Sequence, residues 1–229
     1  MTLRIDVITI FPNLILEALA HGIVARAIEQ GLARVAAHDL RTFTDDRHRR
    51  VDDAPFGGGP GMVMRAEPFF RAVEAIMPEG ASAERPIILL SPRGEKFTHK
   101  KARDYSKLER LVLLCGRYEG IDERVRTGLA TAELSLGDFV VMGGEVPALA
   151  VIEASVRLIP GALGAAESSE QDSFENDLLD HPHYTRPADF RGQKVPEVLL
   201  SGDHAAIGKW RRQQAAEATK ARRPDLGRD

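Results

Sequence analysis

The scarcest features of this sequence are cysteine and long apolar runs. Its 229 residues include one cysteine, Cys115, so no disulfide can form within the chain and cysteine alone cannot build a zinc site. No uninterrupted apolar run reaches the roughly 18 residues that a membrane helix needs, and the first residues lack the pattern of a signal peptide. We therefore expect a cytoplasmic protein with no membrane partner, in which Cys115 is a small apolar core residue.

Several common catalytic and cofactor motifs are also missing. The seven histidines show neither HxxxH nor HExxH spacing and no GxSxG occurs, so no metal ligands are assigned and a serine hydrolase is unsupported. The glycine run at residues 57–61 is neither GxGxxG nor a phosphate-binding loop with a lysine-serine pair, which argues against a dinucleotide oxidoreductase. The formal net charge of −3 excludes nucleic-acid binding by bulk charge, so an RNA-binding surface must be a local patch.

Short apolar runs alternate with helical patterns from residue 3 to residue 158. The apolar runs predict strands at residues 3–10, 34–40, 86–90, 111–115 and 139–141. Helical periodicity predicts helices at residues 14–30, with a break near Gly22, and at residues 67–77, 100–108 and 145–158. This alternation favours an α/β domain with a mostly parallel sheet. Because ligands of such sheets bind at the carboxyl ends of strands, we expect a site where SPRG, GRYEG and MGGEVP follow three of the runs.

Residues 41–61 are predicted to form a long loop, charged first and then rich in glycine. Its RHRR cluster at residues 47–50 stands among aspartates and is either a solvated charged loop or a contact for phosphate or base. The glycine run that follows either lets the backbone approach a ligand closely or only bends the chain sharply.

A linker and a second domain are expected after residue 158. Residues 159–171 contain proline, glycine, small and acidic residues, which is typical of a linker. Residues 203–223 predict a helix with Ser201 or Asp203 as its N-cap. The basic residues of this part are Lys209, Arg211, Arg212, Lys220, Arg222 and Arg223. We therefore expect a small helical domain with a basic surface.

Four long motifs in this sequence resemble one known family. They are DRHRRVDDAPFGGGPGM (46–62), CGRYEGIDERV (115–125), SLGDFVVMGGEVPAL (135–149) and DSFENDLLDHPHYTRP (172–187). They closely resemble the bacterial tRNA (guanine-37-N1)-methyltransferases of the TrmD type, which belong to the SPOUT methyltransferases. The resemblance extends from residue 8 to about residue 224, nearly the whole chain.

The resemblance implies a fold, partners and a reaction. It implies an α/β SPOUT domain with a deep trefoil knot at residues 1–160, a flexible linker at 161–175 and a small helical tRNA-binding domain at 176–229. It also implies a homodimer whose active sites are shared between subunits. The implied methyl donor is S-adenosylmethionine, and the implied product is N1-methylguanosine at position 37 of tRNA, next to the anticodon. A dependence on Mg²⁺ is implied as well, although the sequence shows no set of ligands for it.

The resemblance also assigns residues to roles. Asp172 is expected to be the general base, with Arg157 stabilising the charge on guanine O6 and Glu119 as a further catalytic residue. Asp52, Gly61, Ser168 and Arg157 are the expected substrate-binding residues. The expected cofactor-binding residues are Leu89, Leu90, Ser91, Pro92, Gly116, Tyr118, Glu119, Leu136, Gly137, Asp138, Phe139, Val140, Val141, Gly143, Gly144 and Pro147.

Other interpretations of these residues stay open. The alternative for Asp172 is a cap of the helix after the linker, and the alternative for Arg157 is a surface residue of the preceding helix. Met142 stands where serine is common in the family, so local contacts near the pocket are expected to differ. The chain could also be a SPOUT methyltransferase acting on another RNA position, or a non-catalytic RNA-binding module on the same scaffold.

Overall fold

The computed structural model describes residues 2–163 and 172–226. The chain divides into two compact units, Met1–Ala165 and Ala166–Asp229. The linker expected at residues 161–175 lies largely outside the described residues. Within the described ranges, no helix combines the length and the apolar character needed to cross a membrane.

A five-stranded sheet forms the centre of the first unit. Its strands are β1 Leu3–Thr9, β2 Ala33–Asp39, β5 Ile87–Lys96, β6 Arg110–Cys115 and β7 Ala132–Ser135. They lie in the order β2-β1-β6-β5-β7, and every pairing is parallel. All residues of β6 are buried, as expected for a parallel strand that is covered on both faces. The predicted α/β domain with a mostly parallel sheet is confirmed.

Helices cover the two faces of this sheet. They are α1 Pro12–Ala18, α2 Gly22–Glu29, α3 Ala66–Ile76, α4 His99–Tyr105, α5 Glu123–Gly128 and α6 Glu145–Val156. Alternate residues of β6 enter separate cores, because side chains along a strand point to opposite faces. Leu111 and Leu113 pack in the core that contains Val151 of α6, whereas Leu114 packs in the core that contains Phe69 of α3.

A short hairpin leaves the sheet and carries the glycine run. Strand β3, Asp52–Asp53, pairs antiparallel with β4, Val63–Met64. The intervening residues 54–62 form the loop of this hairpin. The backbone of Met64 also donates a hydrogen bond to the carbonyl oxygen of Gly120, over 2.9 Å, so the hairpin is joined to the chain that follows β6.

One predicted strand end and one whole predicted strand are wrong. Strand β5 continues through SPRG to Lys96, with a register shift against β7 between Leu90 and Glu95 that absorbs the irregular segment. Residues 139–141 are not a strand; the strand of this region is β7, which the sequence patterns did not predict and which ends at Ser135. The Ser135 hydroxyl forms hydrogen bonds with both the N–H and the carbonyl of Gly137, and this turn ends the strand.

The second unit contains one long helix and a small hairpin. The helix is α7, His204–Arg222, and the hairpin consists of β8 Asp189–Phe190 and β9 Gln193–Lys194. The Asp203 carboxylate accepts hydrogen bonds of 3.0 Å from the backbone N–H groups of Ala205 and Ala206. These bonds satisfy donors that the first turn of a helix leaves free, which confirms Asp203 as the N-cap.

Candidate active site

A cavity of about 520 Å³ opens at the carboxyl edge of the sheet. Its walls come mainly from the middle of β5, from the chain that follows β6 and from the loop between β7 and α6. This is the edge at which parallel sheets bind ligands. Every residue predicted to bind the cofactor lines this cavity except Gly137 and Asp138, and Met142 lines it as well.

Gly137 and Asp138 lie beside the cavity wall instead. Gly137 belongs to the turn that follows Ser135, and a Cβ added to it would lie 3.0 Å from the ring of Phe139, which does line the cavity. The Asp138 side chain is 97% exposed and lies 3.6 Å from Lys96 Nζ. Gly137 therefore leaves room for the Phe139 ring, while Asp138 faces solvent.

Sequence reasoning missed several residues of the cavity wall. They are Val63, Ile121, Glu123, Leu134 and Ser135, whereas Arg93, Arg117 and Gly120 belong to the turns SPRG and GRYEG, where a site was expected. Ile121 and Glu123 lie within the motif CGRYEGIDERV, so position within that motif was a signal for them. Val63 comes from the distant strand β4, and no local pattern in the sequence connects it to the site.

Two loops cross closely at the base of the cavity. The Gly144 N–H donates a 2.9 Å hydrogen bond to the carbonyl oxygen of Gly116, and Arg117 and Gly143 form an isolated antiparallel bridge. A Cβ added to Gly144 would lie 2.6 Å from the Cα of Cys115, and one added to Gly143 would overlap the Arg117 side chain. Glycine is needed at position 144 because the two backbones approach each other too closely for a side chain, whereas at position 143 it leaves room for the Arg117 side chain.

A buried ion pair supports this crossing. The Glu145 side chain is fully buried, and its carboxylate accepts hydrogen bonds from Arg117 Nε over 2.9 Å and from the Thr9 hydroxyl over 2.6 Å. The neighbouring thiol of Cys115 is also buried, and burial, with a contribution from the Glu145 carboxylate, raises its pKa well above the ordinary value. An un-ionised buried thiol is a weak nucleophile, which agrees with the expectation that Cys115 is a core residue.

The predicted substrate-binding residues of the hairpin lie at different places. A Cβ added to Gly61 would lie 2.5 Å from the side chain of Glu119, so the glycine run reaches the wall of the cavity. Asp52 pairs with Met64 in the hairpin and is not among the residues that line the cavity. The structure therefore brings Gly61, but not Asp52, into contact with a cavity residue.

The charged cluster before the hairpin is organised by Asp46. Its carboxylate accepts hydrogen bonds from the backbone N–H groups of His48 and Arg50 and from the Arg50 guanidinium. These bonds lower the pKa of Asp46 to about 2, with the Arg50 bonds as the largest cause. The side chains of Arg47 and Arg49 remain exposed in this turn, so both interpretations of the RHRR cluster stay open.

The other predicted catalytic and substrate-binding residues do not line this cavity or lie outside the described residues. Arg157 is the C-cap residue of α6 and is not among the residues that line the cavity. Asp172 belongs to the second unit, where it lines a separate cavity of about 300 Å³ together with Arg211 and Arg212. Ser168 lies outside the described residues.

One group of potential metal ligands lies close together among the described residues. It consists of Asp180, His181 and His183, whose ligand atoms are within 4.8 Å of one another. Each imidazole already lies 2.7 Å from the Asp180 carboxylate, and these contacts account for the group without an ion. Two imidazoles also match Mg²⁺ poorly, because it prefers oxygen ligands. The Mg²⁺ dependence implied by the resemblance therefore stays a prediction without assigned ligands.

Comparison with known proteins identifies the family. Residues 3–229 match the family model described as tRNA (Guanine-1)-methyltransferase TrmD. The chain is 54% identical over 224 residues to the tRNA (guanine-N(1)-)-methyltransferase of Moorella thermoacetica, covering 98% of this chain and 90% of that protein. It is 53% identical over 228 residues to the protein of the same name from Gloeobacter violaceus, covering 98% of each. The family inferred from the four motifs is thus confirmed: this chain is a methyltransferase and belongs to the tRNA (Guanine-1)-methyltransferase TrmD family.

Proposed function

We propose that this enzyme transfers the methyl group of S-adenosylmethionine to N1 of guanosine 37 in tRNA, next to the anticodon. The observation that carries the proposal is the 520 Å³ cavity at the sheet edge, built around the crossing of Gly116 and Gly144, in a chain of this family. The printed names of the relatives support a tRNA substrate and the guanine N1 position. The donor and position 37 are inferences from the family resemblance.

The shape and chemistry of the cavity support S-adenosylmethionine as the donor. Its volume lies within the range of small-molecule sites, and its wall combines apolar side chains such as Phe139 and Pro147 with backbone groups at Gly116 and Gly143. Apolar side chains suit an adenine ring, and the closely approached backbone at the glycines suits polar groups that bind main-chain N–H and C=O. When bound, S-adenosylmethionine supplies an electrophilic methyl group on a positively charged sulfur.

The chemistry of guanine requires a base and a stabiliser of negative charge. N1 carries a proton and becomes a good nucleophile only when that proton is lost, so we assign Asp172 as the general base. As N1 loses its proton, negative charge moves to O6, and we assign Arg157 to stabilise it. We assign Glu119 as a further catalytic residue, because it lies next to Gly61, at the point where the hairpin meets the cavity. Asp52, Gly61 and Ser168 are the proposed guanine-recognition residues, and we expect the target base to leave its stack.

We further propose a knotted SPOUT domain at residues 1–160, a linker at 161–175 and a helical tRNA-binding domain at 176–229. The close crossing of the loops at Gly116 and Gly144 is compatible with a knotted chain path. Helix α7 supports the tRNA-binding role, because it carries five basic residues, Lys209, Arg211, Arg212, Lys220 and Arg222. We place the enzyme in the cytoplasm, where it would meet its tRNA.

A homodimer with shared active sites is part of the same proposal. Leu14 and Leu16 of α1, Ile23 of α2 and Val146 of α6 expose 39–55% of their surfaces. Helices α1 and α2 both contact α6, so these side chains belong to one layer of the first unit. Exposed apolar side chains in one helical layer support burial of that layer in a partner subunit.

The proposal is tested by methyl transfer from labelled S-adenosylmethionine to an unmodified tRNA transcript with guanine at position 37. The matched transcript carries adenine there. Label at N1 of the first transcript alone is the expected result, and equal labelling of both would point to another RNA position. No label on either transcript, with the donor still bound, would refute the proposed reaction.

The role of Asp172 is tested in the same assay with Asp172→Asn. We expect turnover to fall by about 100-fold or more, with donor binding unchanged, because no base removes the N1 proton. The control is Asp177→Asn, a residue with φ 55° in the same segment, since asparagine tolerates this backbone conformation. Near-normal turnover of Asp172→Asn would show that Asp172 is not the base.

A further inference from the structure

The Glu145–Arg117 ion pair lies at the boundary between the protein core and the cavity. The Glu145 carboxylate is fully buried, whereas the Arg117 side chain is 21% exposed and lines the cavity. Arg117 Nε donates a 2.9 Å hydrogen bond to one oxygen of the Glu145 carboxylate, and Nη2 lies 2.8 Å from the same oxygen. The buried Glu145 carboxylate thus compensates the positive charge of Arg117.

Contacts from two other elements restrict the pair further. The Thr9 hydroxyl, at the end of β1, donates a 2.6 Å hydrogen bond to the second oxygen of the Glu145 carboxylate. The Arg117 guanidinium carbon lies 4.6 Å from the centre of the Phe11 ring, which is the geometry of a cation–π contact. Because both carboxylate oxygens and the guanidinium are engaged, the position of Arg117 in the cavity wall is tightly defined.

We propose that Glu145 is a positioning residue that holds Arg117 in the cavity wall and cancels its charge, so that the cavity can accept a cationic ligand. This inference rests on the proposed function, in which the donor carries a positive sulfonium. Without Glu145, an uncompensated guanidinium in the wall would repel that sulfonium. The demethylated product, S-adenosylhomocysteine, has a neutral thioether in its place and would experience no such added repulsion.

The charge of Glu145 therefore affects the donor and the product differently, which makes the role measurable. In Glu145→Gln, calorimetric binding should show that affinity for S-adenosylmethionine falls about fivefold more than affinity for S-adenosylhomocysteine. The matched control is Glu153→Gln, an exposed glutamate of the same helix, which should leave both affinities unchanged. Adding Arg117→Met to Glu145→Gln removes the unpaired charge and should restore the natural ratio of the two affinities.

An equal loss of affinity for both ligands, or no loss, would refute charge compensation by Glu145. If the natural chain bound neither ligand, the proposed donor would be refuted instead, so the two failures are distinguishable. A measurement without ligand tests the pair itself: the free energies of unfolding of Glu145→Gln, Arg117→Met and the double variant should be clearly non-additive. Additive effects would show that the two side chains do not stabilise each other.

Discussion

Gly144→Ala is expected to disrupt the crossing at the base of the cavity. The backbone of Gly144 has φ −74°, a conformation that alanine adopts without strain, so the conformational preference of glycine is not the reason for its presence. The reason is space, because an added Cβ would lie 2.6 Å from Cys115 Cα, 2.9 Å from Cys115 Cβ and 3.1 Å from the Gly116 nitrogen. Two of these three atoms belong to the backbone and cannot move by side-chain rotation.

The size of the effect follows from these distances. Carbon atoms in contact normally lie about 3.5–4.0 Å apart, so the overlap with Cys115 is about 1 Å. Overpacking of this kind costs about 1–3 kcal/mol. Separating the loops would also weaken the hydrogen bond from the Gly144 N–H to Gly116, worth about 1 kcal/mol. We therefore expect the free energy of unfolding to fall by about 2–4 kcal/mol, with affinity for S-adenosylmethionine reduced as well.

Urea unfolding followed by circular dichroism, together with calorimetric binding, measures both effects. Gly208→Ala is the control for the same chemical change, because Gly208 lies inside α7 and an added Cβ would have only the flexible Arg212 side chain nearby, at 3.6 Å. That substitution should be neutral or stabilise α7 by up to about 1 kcal/mol. If Gly144→Ala changed stability by less than about 0.5 kcal/mol and left binding unchanged, the steric argument would be wrong.

Three further predictions concern acid stability, catalysis and RNA binding. Burial raises the pKa of Asp6, but hydrogen bonds from His38 and Arg110 outweigh it and lower the pKa below 3.8, so its stabilising effect is lost as pH falls through that lowered pKa. Asp6→Asn should lower the free energy of unfolding by about 3–5 kcal/mol near neutral pH and make that free energy fall less steeply in acid. Unfolding measured at a series of pH values tests this, and an unchanged fall in acid would contradict it. Arg157→Lys should lower kcat by about tenfold or more if O6 needs the planar guanidinium, whereas a small loss would favour charge alone. Arg212→Gln should weaken tRNA binding and lower the number of counterions released on binding by about one. Filter binding at several salt concentrations measures both effects. An unchanged affinity and an unchanged salt dependence would exclude Arg212 from the interface.

Local patterns were sufficient for most of the fold of the first unit. Strands β1, β2 and β6 and helices α3, α4 and α6 lie within a few residues of their predicted bounds, because apolar periodicity reflects which faces are buried. The strand predicted from the apolar run at residues 139–141 was wrong. Phe139 and Val140 are apolar but 57% and 82% exposed, so hydrophobicity there does not indicate a buried strand.

The location of the cavity was also predictable, since residues of SPRG, GRYEG and MGGEVP all line it, although only GRYEG directly follows a strand where one was predicted to end. Its complete wall was not predictable from strand ends alone. Val63 reaches the wall only because the β3–β4 hairpin is joined to the chain after β6 through Met64 and Gly120. Such a connection depends on hydrogen bonds between segments that are distant in sequence.

The sequence by itself therefore determined the family, the α/β architecture and the main segments that line the cavity, because motifs and periodicity are local properties. Only the tertiary structure decided that Glu145 faces the core and pairs with Arg117 and Thr9. Thr9 and Glu145 are 136 positions apart, and their contact exists because β1 and α6 pack together around a shared core. A glutamate in the first turn of a helix usually faces solvent. Its burial here depends on two partners that the folded chain brings from β1 and from the loop after β6.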